Sequence, residues 1–215
     1  MNSRARPKSF DWGIDRPSRK RSVGDRDTQI VAVLDACVLY SAPVRDVLLR
    51  CACEGLFSAR WTNRIHEEWI GALLVQRPDL NRRQLERTRL MMDAHATECL
   101  IEGYSHRERE IHLPDPEDRH VVAAAIHAAA HLIITYNLAD FPARILATHG
   151  VLAMHPDAFL SALFDTDRNA TLSAVRMQRA SLKQPPMTAE SLLEAFLRLG
   201  LPNFTKRLLE NRRSI

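Results

Sequence analysis

Apolar residues along this chain fall into two patterns. Short unbroken apolar runs alternate with longer amphipathic stretches as far as about residue 155, and beyond that only the amphipathic pattern continues. The run IVAVL at 30–34 is continuous and β-branched, which predicts a strand covered on both faces. HLIIT at 131–135 has the same character, and VLAMH at 151–155 reads as a final strand. Between these runs, spacings of three and four predict helices over about 43–53, 63–74, 81–99, 115–130 and 142–148. Strands alternating with helices predict an α/β domain with a mainly parallel sheet. From Pro156 the segments DAFLSALF, TLSAVRMQRASL and SLLEAFLRL predict a helical extension, with Gly200 and Pro202 ending one helix and opening another. The chain therefore divides into an arm at 1–29, an α/β domain at 30–156 and the extension at 157–215.

Acidic residues stand where these patterns break. Asp35 ends the first apolar run, and in open α/β sheets ligands bind outside the carboxyl ends of the strands. Glu67 and Glu68 are adjacent, and helical geometry separates them. Ile65, Trp69, Ala72 and Leu73 form one apolar stripe, and Glu68 lies on its flank, about 60° from Ile65, while Glu67 faces solvent. Asp115-Pro116-Glu117-Asp118 reads as an N-cap, a proline at the first helical position and acids in the first turn. Capping explains Asp115. It explains Asp118 less well, because Asp118 shares a face with Val122, Ala125 and Ala129, the stripe that meets the sheet. Asn137 and Asp140 follow HLIIT, where Asp140 is open between a cap for the helix near Pro142 and a ligand. Oxygen-rich acids converging on one rim suit Mg²⁺ or Mn²⁺, and such a site can activate water for displacement at phosphorus.

Composition narrows the function classes. The 215 residues carry a formal charge of +4 with an isoelectric point near 9.1, compatible with a nucleic-acid substrate. Much of the excess is local: residues 1–29 hold eight Lys or Arg against four Asp, without apolar periodicity, and read as a disordered arm. No apolar stretch reaches the roughly 20 residues of a membrane helix, and no secretory signal stands at the N-terminus. The four cysteines form no paired C-x-x-C units, so they read as reduced thiols of a cytoplasmic protein rather than zinc ligands. Dinucleotide binding is disfavoured because neither strand is followed by a glycine-rich loop. A dehalogenase-like phosphatase would need an acid where Cys37 stands and a downstream lysine, and residues 21–182 contain no lysine.

The ordered set VAVLDACVLYSA, RIHEEWIGAL, LPDPEDRHVVAAAI and IITYNLADFP resembles the PIN-domain ribonucleases found as VapC-type toxins, over roughly residues 30–160. The resemblance implies a three-layer α/β/α fold. It also implies a site in which Asp35, Glu68, Asp118 and Asp140 hold Mg²⁺ or Mn²⁺, with Asn137 and Asp115 beside them. It further implies hydrolysis of RNA to 5′-phosphate and 3′-hydroxyl ends, a cognate antitoxin as partner and pairing of two copies. Arg45, Arg64 and Arg119 lie near the motifs and are expected at the RNA backbone, with Trp61 or Trp69 as surfaces on which a base could stack. His66 and His120 are expected to be surface or structural residues. One departure from the family is Cys37, where Ser, Thr or Asn is usual two residues after the first aspartate. The alternative reading is a PIN-like binding module without catalysis.

Overall fold

The computed structural model describes residues 29–96, 98–183 and 186–215, so the basic arm lies, but for Gln29, outside the described residues. Four short strands, β1 (Val31–Leu34), β2 (Ser58–Arg60), β3 (Leu132–Ile134) and β4 (Leu152–Met154), form one parallel sheet in the order β2-β1-β3-β4. The registers pair Val33 with Arg60, Leu34 with Ile134, and Ile134 with Met154. The chain leaves β1 for one side of the sheet and returns to the other, so the crevice between the carboxyl ends of β1 and β3 is the topological switch point.

Helices flank the sheet in the three-layer arrangement. After β1 come α1 (Ala36–Tyr40) and α2 (Ala42–Cys53), and after β2 come α3 (Asn63–Gln76) and α4 (Arg82–His95). A 3-10 turn at Pro116–Asp118 leads into α5 (Arg119–His127), and α6 (Ala143–Ala147) joins β3 to β4. Four helices complete the chain: α7 (Pro156–Thr166), α8 (Arg168–Ser181), α9 (Ala189–Arg198) and α10 (Pro202–Glu210).

Three local expectations change. β2 is an additional strand whose sequence, Ser58-Ala59-Arg60, buries only its middle residue and so leaves no apolar run. The helix expected to reach Cys99 ends at His95, where Ala96 turns extended, and Leu100 beyond it bridges to Trp61. The helix expected from Asp115 opens as a 3-10 turn, and its α-helical part begins at Arg119.

One hydrophobic core runs from β1 and α5 through Trp61 and Trp69 to Phe159, Phe196 and Phe204 of the last four helices. Phe57 meets Phe159 edge-on at 4.9 Å between ring centres. Polar ties join α8 to α2 as well. Gln178 donates to the Pro43 carbonyl, and Arg50, bonded to the buried Asp46 at 2.9 Å, also donates to Ser181.

Candidate active site

Asp35 is where the sheet meets its crevice. Its backbone N–H still belongs to the sheet, donating to Ile134 at 3.1 Å, while its side chain caps α1. Oδ1 accepts the Ala36 N–H at 2.6 Å, and Oδ2 accepts the Thr135 hydroxyl at 2.7 Å and the Cys37 thiol at 3.0 Å. Asp35 as a residue is 6% exposed, and three donors from two neighbouring strand ends set the direction of its carboxylate. Cys37 therefore occupies the family's hydroxyl position and still donates to the acid. Burial, and then the charge of Asp35, push its thiol up to about 12, so it stays protonated.

Asp118 ends the 3-10 turn and makes no capping hydrogen bond to α5. Burial pushes its carboxyl up to about 6, reinforced in turn by the charges of Asp35, Asp115 and Asp140, with His120 opposing. These four aspartates thus share one electrostatic neighbourhood. Asp115 performs its expected capping, accepting the Glu117 N–H at 2.8 Å. Asp140 sits half-buried at the end of a 3-10 turn over Leu138–Asp140. It does not cap α6, whose N-cap is Pro142. Asn137 is exposed, and its backbone N–H donates to Thr135 Oγ1 at 3.0 Å.

Glu68 is turned elsewhere. His120 Nε2 lies 2.9 Å from its Oε1, and Arg64 Nε lies 3.3 Å from the same oxygen. Glu67 pairs with Arg82 and Arg89 on the solvent side of α3. Among the described residues, no three His, Cys, Asp or Glu side chains stand at distances that would hold a metal ion. The donor set nevertheless suits a hard divalent cation: Asp118 shares its surroundings with three like charges, whose repulsion a bound cation would relieve.

The arginines separate. Arg64 reaches Glu117 at 2.9 Å and Glu108 at 3.6 Å as well as Glu68, so it ties α3 to the loop that presents Asp118. Arg119 is half-buried, and its buried Nε has no hydrogen-bond partner. Arg45, expected near RNA, is 8% exposed. Its guanidinium lies 4.9 Å from the Trp69 ring centre and donates to the Leu39 carbonyl, because α2 turns it into the core.

Trp61 is also fully buried, donating to Asp93, and is no surface for a base. His66 and His120 are structural but buried. His66 bridges Trp69 and Asp93. Thr135 and His120 are the contacts that sequence reasoning left out. Thr135 closes an apolar run just before Asn137, its one visible signal. A cleft of about 630 Å³ lined by Gln29, Glu54, His95, Asp167 and Ser173 lies at the amino ends of β1 and β2, away from these acids.

A PIN domain family model matches residues 31–139, half of the chain, and spans Asp35, Glu68, Asp115, Asp118 and Asn137. The chain belongs to the PIN-domain family. A second model, described as the VapC50 C-terminal domain, matches residues 156–210 of this PIN protein, the stretch that forms α7 to α10. A Mycobacterium tuberculosis protein named "Putative ribonuclease VapC50" is 39% identical over 79 residues. The match covers 37% of this chain and 47% of the relative, about half of its length. No solved structure matches the chain significantly. Within the described residues of this PIN protein no helix is long and apolar enough to cross a membrane.

Proposed function

We propose that the chain is a Mg²⁺- or Mn²⁺-dependent ribonuclease that hydrolyses phosphodiester bonds to 5′-phosphate and 3′-hydroxyl ends, as the toxin of a toxin–antitoxin pair. The observation that carries this is the shared charge of Asp118 with Asp35, Asp115 and Asp140 at the sheet's switch point. Family membership and the relative's name support the substrate class.

Asp35, Glu68, Asp118 and Asp140 would hold the ion, which when bound supplies an activated water and charge stabilisation at phosphorus. The chain's own groups orient the acids. Ala36, Thr135 and Cys37 aim Asp35, and Asn137 fixes Thr135. Asp115 holds the turn that presents Asp118, while His120 and Arg64 hold Glu68. Arg119, half-buried beside Asp118, and Arg64 at the rim would take backbone phosphates, which position RNA without reading its sequence. An antitoxin and a second copy of the chain are the protein partners, and the cytoplasm is the site of action.

A nuclease assay of wild type and Asp35→Asn with Mg²⁺, Mn²⁺ and chelator tests the site. Metal-dependent cleavage lost in Asp35→Asn and in Asp118→Asn, with folding retained, is the expected result; undiminished cleavage by both variants would sink it. Growth arrest on expression, relieved by co-expressing the neighbouring gene, tests the toxin assignment. A second reading, a binding module without catalysis, is favoured by the pairing of Glu68 with His120 and Arg64 instead of the aspartates. It predicts that Mn²⁺ does not bind.

A further inference from the structure

The helical extension meets the acidic centre at one residue. Tyr136 stands between Thr135, which bonds Asp35, and Asn137, at the start of the loop that ends in Asp140. Its backbone N–H donates to Cys37 Sγ at 3.2 Å, and that same thiol donates to Asp35. Its side chain points the other way. The hydroxyl donates to the Leu199 carbonyl at 2.8 Å, in the turn between α9 and α10, and the ring packs edge-on against His155 at 4.9 Å.

The acceptor is built to stay in place. Gly200 has a φ of 76°, and its N–H and that of Leu201 close α9 on the Leu197 and Phe196 carbonyls. Glycine serves the left-handed turn here, with the Tyr136 ring at ordinary contact distance beside it. The buried carboxylate of Asp157 on α7 accepts the backbone N–H groups of Asn203 and Phe204 and the Asn203 amide, pinning the start of α10. Leu199 is therefore held from both sides.

Resting on the nuclease reading above, we infer that Tyr136 is a positioning residue through which the helical extension fixes the Cys37–Asp35 contact and the loop bearing Asn137 and Asp140. The extension is then a working part of the catalytic unit. Tyr136→Phe removes only the hydroxyl and keeps the ring packing, so the variant folds.

In the metal-free protein of residues 1–215, amide exchange over residues 137–140 should speed up in Tyr136→Phe. Mn²⁺ affinity by calorimetry and kcat on RNA should each fall about tenfold, the low end for losing a group that orients metal ligands, with KM for RNA unchanged. A hydroxyl that only stabilises the fold would lower the melting temperature and leave exchange at 137–140, Mn²⁺ affinity and kcat unchanged. That result, with cleavage still lost in Asp35→Asn, overturns the positioning role alone. A wild type that neither binds Mn²⁺ nor cleaves RNA overturns the nuclease reading, and the positioning role with it.

Discussion

A carboxyl that keeps its proton near pH 6 must surrender it before it can bind a cation, and Asp118 is such a group. Its carboxyl stands at about 6 against an ordinary 3.8, through burial first and then Asp35, Asp115 and Asp140. Ion and proton compete for the same oxygens, so Mn²⁺ affinity should fall as pH is lowered through about 6, approaching roughly tenfold per pH unit. Asp115→Asn removes one of the three charges and should move that fall to lower pH. Calorimetric titrations between pH 5 and 7.5 check both, and an affinity flat over that range would count against Asp118 as a ligand. The sequence made some of this residue-level detail legible. Asp115 capped as its Asp-Pro context dictates, because capping depends only on local chain. Thr135 and His120 were not legible as partners of Asp35 and Glu68. Each bond joins segments far apart in the chain, Thr135 to Asp35 across 100 positions. Arg45 misled for a related reason: the Trp69 face that buries it belongs to another helix.

Helices and the strands with continuous apolar runs were readable from the hydrophobic pattern, while the elements without one were not. β1 and β3 carried buried runs and were placed within a residue or so, whereas β2, Ser-Ala-Arg, has no apolar run and the five residues of α1 are too few to show a period. Element ends also hold the chain's local strain. α5 closes with the Ala130 N–H on the Ala125 carbonyl and the Ala129 N–H on Ile126, and this turn puts Ala129 at a φ of 48°. The corresponding turn after α9 uses Gly200. Ala129 thus adopts a left-handed conformation that favours glycine. Ala129→Gly should raise stability by up to about 1 kcal/mol. Chemical denaturation measures it, and a loss of stability would contradict this account of the turn.

At the scale of the whole molecule, one core passes from the sheet into α7 to α10, and the α2–α8 contact contains a buried charge cluster. Burial pushes Asp46 up to about 6 against the pull of Arg50 and Arg45. A carboxyl raised above its unfolded value favours the fold while protonated, and that contribution is lost as pH rises through about 6. The melting temperature should therefore rise on acidification from pH 8 to 5.5, and Asp46→Asn should reduce the slope. An unchanged slope would mean that the Arg50 bond outweighs burial. The sheet order has a different consequence, in time. Asp35 is made early, but the hydroxyl that aims it arrives 100 residues later, and the carbonyl that holds Tyr136 lies 63 residues beyond Tyr136. At roughly 5–20 residues per second of synthesis, a growing chain spends several seconds or more with its first acid in place and its supports missing. On the nuclease reading proposed above, the acidic centre is therefore the last part of the domain to be finished, waiting on the extension made at the end of synthesis.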